Sequence, residues 1–233
     1  MNLEGLVRFH SPRSLSPGTS FTRASPDSLS IADVMAAAGM TQRRAALGYA
    51  AFAGKMNLSK QAITQTLGLL MSAAIKESVH YPALKKLSGR EREVILKVIV
   101  TYAYLDFARS AASEMICIPC DGTGQRKGKQ CKKCGGKKVV RAACNDCKGR
   151  GVAVNRLKSH LQGVPIYHHC VRCGGRGFER IPSTVVYRAI ALVSDAISLD
   201  TWNKSLKSLS DYLITFMEKE VSWADKQLQI ITQ

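Results

Sequence analysis

All eight cysteines of the chain fall into four C-x-x-C pairs: Cys117/Cys120, Cys131/Cys134, Cys144/Cys147 and Cys170/Cys173. Two thiolates separated by two residues clasp one metal ion in a tight knuckle, whereas a disulfide over the same span is short and strained. Three of the pairs begin strings of the form C-x-x-C-x-G-x-G, among them "C-I-P-C-D-G-T-G" from Cys117 and "C-V-R-C-G-G-R-G" from Cys170, in which glycines let the backbone turn around an ion. The string from Cys131, "C-K-K-C-G-G-K-K", lacks the final glycine. Eight thiols predict two tetrahedral zinc sites, each closed by four thiolates and so without the open position that catalytic zinc requires. His168 and His169, beside Cys170, are surplus as ligands. Four copies of the pair in a reducing compartment argue for metal over thiol redox chemistry. A Gly-rich phosphate loop, a nucleophile elbow and an H-E-x-x-H motif are all missing from the sequence, so nothing in it reads as an enzyme.

Spacing alone leaves the pairing open. Consecutive pairing joins the first pair with the second and the third with the fourth. Nested pairing joins Cys117, Cys120, Cys170 and Cys173 in an outer site and Cys131, Cys134, Cys144 and Cys147 in an inner one. Nesting would staple the two ends of the region together and leave the inner site to stiffen an excursion.

Charge is the second strong signal. The 233 residues carry a formal +17, and between Cys117 and Arg180 there are 15 lysines and arginines against Asp121, Asp146 and Glu179. Two four-thiolate zinc sites each contribute −2 and leave that segment strongly basic, which suits a polyanion, above all nucleic acid. The densest cluster is Arg126, Lys127, Lys129, Lys132, Lys133, Lys137 and Lys138. Upstream DNA, nascent RNA or an acidic protein surface would each satisfy it.

The elements that must carry these groups read as helices. Residues 1–30 are expected to be a flexible Ser/Pro-rich arm, with no leader-like apolar run at the start, and no stretch is apolar enough for a membrane span. Residues 31–114 form an N-terminal helical body. It starts near Ser30 with a stop at Gly39, resumes before Gly54, and continues after Ser59 with Ile63, Leu67, Leu70, Met71, Ala74 and Ile75 on one face. Ser88 and Glu91 make a capping box that opens a central buried helix. Residues 115–180 are the zinc-binding insertion, too poor in large apolar groups to fold without metal. In residues 181–233, Ser183 opens a helix with Val186, Ala189, Ile190 and Val193 on one face. A second helix runs from about Asp200 with Trp202, Leu206, Leu209, Leu213 and Phe216 at alternating spacings of four and three. The pair reads as a helix-turn-helix. Arg188, Asn203, Lys204, Lys207 and Ser208 then lie away from the apolar stripes and are the DNA-contact candidates. The expected fold class is mainly α: a helical bundle with an inserted cysteine-rich region and a C-terminal helix-turn-helix.

Two resemblances add to this reading. The repeated C-x-x-C-x-G-x-G resembles the cysteine-rich region of J-domain chaperones, which implies nested pairing. Over nearly its whole length the chain resembles the lambdoid phage late-gene antitermination Q family, on "F-H-S-P" at Phe9, "D-V-M-A-A-A-G-M" at Asp33, "R-S-A-A" at Arg109, the Cys117 string, and "I-P-S-T-V-V-Y-R-A" at Ile181 followed by Trp202. The phage lambda member of that family is expected to carry only the two outer cysteine pairs, so the inner pairs read as an inserted knuckle. The resemblance implies a transcription antitermination factor in the cytoplasm of a bacterial host. Such a factor binds a DNA element at the late promoter, engages paused RNA polymerase through its core and primary sigma factor, and carries it past terminators near the nascent RNA exit. The competing readings are a promoter-bound zinc transcription factor without antitermination activity and a chaperone-like zinc scaffold; against the latter, the chain has no H-P-D tripeptide.

Overall fold

A computed structural model describes residues 1–10 and 29–233, so the Ser/Pro-rich run of the arm lies outside the described residues. The chain divides into two compact units: residues 1–108 with 183–233, and residues 109–182.

The first unit is helical. Its elements are α1 (Leu3–His10), α2 (Ile31–Arg44), α3 (Ala46–Lys55), α4 (Lys60–Ser78), α5 (Pro82–Lys85), α6 (Gly89–Phe107), α8 (Ser183–Ala191), α9 (Leu199–Thr201) and α10 (Lys207–Ile231), the last two joined by a π-turn at Trp202–Leu206. Two reciprocal capping boxes set helix starts: Ser30 with Asp33 opens α2, and Ser88 with Glu91 opens α6. In each, the serine hydroxyl accepts from the third helical N–H and the carboxylate accepts from the serine N–H, which satisfies two donors the helix itself cannot. The packing centre is α10, which lies against α2, α3, α4 and α6. At its crossing with α3, a Cβ on Gly48 would collide with the Glu220 carbonyl, so only glycine permits this approach.

Several expectations change here. The opening residues are not all arm: α1 buries Leu3 and Leu6 in a cluster with Val34, Ala37, Phe52, Ala224 and Leu228. Gly39 does not stop α2, which runs to Arg44, because a single glycine weakens a helix by only about 1 kcal/mol and Val34, Ala37 and Ala38 before it and Thr41 after it are buried. The core stripe of α4 is Ala62, Thr66, Leu70, Ala74 and Ser78, with Ile75 exposed. The buried stripe is mostly small side chains, so the large apolar residues mark it only in part. Helix α6 is buried along Ile95, Leu96, Ile99, Val100, Ala103 and Phe107 but leaves Leu105 in solvent. In α8, Val186 and Ile190 are buried, while Val193 lies past the helix end and is exposed.

The second unit has almost no apolar core. Three two-stranded antiparallel ladders order it: β1 (Glu114–Ile116) with β4 (Val139–Arg141), β2 (Gln125–Arg126) with β3 (Lys129–Gln130), and β5 (Val152–Val154) with β6 (Tyr167–His169). A short helix, α7 (Arg156–Gln162), crosses between β5 and β6 and buries none of its residues. Its buried groups are chiefly the cysteines.

Candidate metal centres and nucleic-acid face

The cysteines gather into two buried cages, Cys117/Cys120/Cys131/Cys134 and Cys144/Cys147/Cys170/Cys173. This is consecutive pairing, and it corrects the nested expectation. Four equivalent backbone hydrogen bonds account for it. In each cage the first cysteine of one half donates its N–H to the carbonyl of the last residue of the other half: Cys117 to Lys138, Cys131 to Gly124, Cys144 to Gly177 and Cys170 to Gly151, each at 2.9 Å. Each eight-residue half thus closes on its neighbour with two-fold reciprocity. Loop closure favours the same outcome, since every doubling of the spanned length costs about 0.6 kcal/mol. Between the halves of the first cage stands only the β2–β3 hairpin; between those of the second, β5–α7–β6.

The glycines serve this closure. At Gly124, at a φ of +81°, a Cβ would lie 2.8 Å from the Gly136 carbonyl, and at Gly177 and Gly151 it would run into the carbonyls of Gly149 and Gly175. Lys138 fills the corresponding place in the string that lacks its last glycine, and adopts the same left-handed backbone at a φ of +68°.

The cages fit a tetrahedral ion. Facing sulfurs lie 3.8 Å apart in Cys117/Cys131, Cys120/Cys134 and Cys147/Cys173, and 3.9 Å apart in Cys144/Cys170. Metal–sulfur bonds of about 2.3 Å in a tetrahedron require edges of about 3.8 Å. A disulfide would need about 2.05 Å. The thiols are unequal before loading. The N–H groups of Cys134 and Lys133 draw Cys131 down to about 6. Burial raises Cys147, but the N–H groups of Gly151 and Gly149 outweigh it and bring it to about 7. Burial and the surrounding thiols of Cys120, Cys131 and Cys134 push Cys117 up to about 12. Cys170 gains from the Cys173 N–H, yet burial and its three neighbouring thiols leave it at about 11. Each cage therefore holds one thiol drawn down and one pushed up. His168 and His169 are exposed on β6, outside both cages.

Around the second cage, Arg172 pairs with Asp146 at 3.5 Å and with Glu179 at 3.1 Å. Around the first, Arg126, Lys127, Lys129, Lys132, Lys133, Lys137 and Lys138 are all exposed, and among the described residues none has an ion-pair partner.

In the helical unit, Asn203, Lys204, Lys207 and Ser208 are exposed on one side of the π-turn and early α10, while Trp202, Leu206 and Leu209 are buried on the other. Lys204 pairs with Asp200 at 2.8 Å, and Ser208 donates its hydroxyl to the Ser205 carbonyl at 2.6 Å. Arg188 is exposed on α8. The π-turn was not legible in the sequence, because the Trp202–Leu206 spacing suits an α-turn equally well. Residues 192–198 connect α8 to α9, pinned by buried Ile197.

The family model for antitermination protein Q matches residues 23–111 and 138–225. The chain belongs to the antitermination protein Q family. It is 36% identical over 233 residues to antitermination protein Q of Escherichia phage lambda, and equally to that of Salmonella phage P22, with all of each chain covered. The family is one of transcription antitermination regulators, not of enzymes. A partial likeness, 30% over 87 residues, links 37% of the chain to 20% of the DnaJ-related protein SCJ1 of Saccharomyces cerevisiae. Residues 112–137, between the two matched stretches, contain the whole first cage.

Proposed function

We propose that the chain binds a DNA element at a phage late promoter, engages the host's RNA polymerase through its core and primary sigma factor while it is paused, and makes it read through terminators. Full-length similarity to the Q proteins of phages lambda and P22 carries this reading. Each cage holds one zinc ion: sulfur-only tetrahedral donors with 3.8 Å edges suit zinc's size and softness, and a closed four-thiolate shell gives the ion a structural role. Cys117, Cys120, Cys131 and Cys134 would hold one ion, and Cys144, Cys147, Cys170 and Cys173 the other.

For the promoter element we assign a helix-turn-helix role to α8 and the α9–α10 helix, with Asn203, Lys204, Lys207 and Ser208 toward the groove and Arg188 toward a phosphate. Support comes from their exposure opposite a buried Trp202/Leu206/Leu209 seam, so that substitution there leaves the core intact. The protein would act in the cytoplasm of the bacterial host; no described helix is long and apolar enough to cross a membrane.

The test is transcription on a template with promoter, pause site and distal terminator. Element-dependent readthrough supports antitermination, and element binding without readthrough makes the protein an ordinary promoter-bound factor. Lys204→Ala together with Lys207→Ala should weaken element binding at least tenfold without shifting the melting temperature. Unchanged affinity in a gel-shift titration removes this face from the assignment.

A further inference from the structure

We infer that the first zinc knuckle is a second, sequence-independent DNA-binding site that grips the phosphate backbone of duplex DNA. Between Asp121 and Asp146 the chain has no acidic residue, yet it carries the seven exposed cations and Arg141. They stand on rigid supports. Lys132 and Lys133 occupy the turn inside a C-x-x-C, Lys137 and Lys138 follow it, and Arg126, Lys127 and Lys129 form the β2–β3 tip.

Local stability is sacrificed to keep these charges. The hairpin turns on Lys127 and Gly128, both with positive φ at +52° and +72°. This two-residue turn favours Asn-Gly, and a lysine at its first position is held in a left-handed conformation that costs about 1–2 kcal/mol. Arg126 faces Lys129 directly across the ladder, a like-charge pair that destabilises a hairpin. Neither cost serves packing, since both residues are exposed.

The side chains present also select the partner. A protein surface would need apolar or aromatic anchors with few lysines. From Gly122 to Lys138 the chain has no aliphatic or aromatic side chain at all. Single-stranded nucleic acid is held by stacking on aromatic rings, and no Phe, Tyr or Trp occurs from Ala108 to Ile166. Six of the seven cations in this cluster are lysines, which act as point charges toward phosphates; base edges call for the arginine fork. Duplex DNA, with one charge per about 1.7 Å of axis, is the polyanion this set matches.

The inference rests on the antitermination reading only in taking DNA as the polymer the protein meets, and its test needs neither promoter nor polymerase. The zinc-loaded full chain is titrated by fluorescence anisotropy against a random-sequence 24-bp duplex, and against the single strand of the same sequence, over a range of salt. The comparison is a variant carrying Lys127→Gln, Lys129→Gln, Lys132→Gln and Lys133→Gln, confirmed to hold two zinc ions. Removing four phosphate contacts should reduce the slope of log affinity against log salt by about 3.6 and weaken duplex binding by on the order of a thousandfold at 0.1 M salt. A charge-matched control, Lys60→Gln, Lys76→Gln, Lys85→Gln and Lys219→Gln on the helical unit, should change the slope by less than about 1. Equal loss in both variants, no loss in the knuckle variant, or a greater loss on the single strand would overturn the inference. Failure of antitermination with this result intact would refute the proposed function alone.

Discussion

The two knuckles are built alike and dressed differently. Each consists of two eight-residue halves exchanging backbone hydrogen bonds around four thiols. The second lies within the stretch that the family shares and is laced by Arg172 to Asp146 and Glu179. Between its halves it carries an excursion that exposes Leu157 and Leu161. The first has a hairpin of minimal length in place of the excursion and presents bare cations. The four-cysteine cage and its reciprocal hydrogen bonds are common to both knuckles, while what stands between the halves differs. Four experiments break or sharpen this comparison.

The largest effect follows from removing a ligand. Cys117→Ser and Cys134→Ser should each abolish one ion and loosen only residues 114–141, because a structural zinc contributes about 10–16 kcal/mol of apparent binding energy. Cys144→Ser and Cys173→Ser should loosen only residues 142–179. Native mass spectrometry with hydrogen exchange reads both; protection lost in both knuckles from a single cysteine change would restore nesting.

Next is the reciprocal glycine contact. Gly177→Ala places a methyl against the Gly149 carbonyl at a positive φ and should cost about 3 kcal/mol of second-knuckle stability. Gly128→Ala, also at positive φ but in open space, should cost the first knuckle only about 1 kcal/mol. Chelator-induced unfolding ranks the two, and equal costs would mean that the interlock carries nothing.

Acid should act on both knuckles. Cys117 at about 12 and Cys170 at about 11 surrender protons only to the ion, and below neutrality Cys147 at about 7 and Cys131 at about 6 also take up protons. Protons and metal compete, so affinity falls as pH falls. Competition titration with a chromophoric chelator should show at least a tenfold loss per pH unit between 7 and 5 in each knuckle.

The smallest effect is a gain. Lys138→Gly restores the missing glycine and should stabilise the first knuckle by about 1 kcal/mol, at the expense of one of its cations. A melting temperature unmoved by this change would mean the left-handed lysine is unstrained.

Much of this was legible in the residues. The cysteine pairs, the capping box at Ser88 and the buried seam from Trp202 follow from spacing and local hydrogen bonding. Pairing was not, because four near-identical half-motifs carry no label for their partners. The signal that bears on it was modest: Lys127-Gly128, a hairpin turn, falls between the first two pairs, while β-branched Val139 and Val140 before the third pair mark a strand leading out of a finished knuckle. Leu3 and Leu6 were hidden by the Ser/Pro-rich run that follows them, and Gly39 carried no tertiary cue. In α4 the buried stripe is mostly small, Ala62, Thr66, Ala74 and Ser78 beside Leu70, so the large apolar residues that periodicity picked out mark it only in part.

Because each cage is completed by ligands from one uninterrupted stretch of chain, with only residues 139–143 between the two, neither depends on the other's sulfurs. A relative could gain or shed such a module in a single step, ion included, and leave the remaining coordination sphere unaltered. Reach and charge in this region can thus be adjusted in whole increments, without redesign of the helical unit.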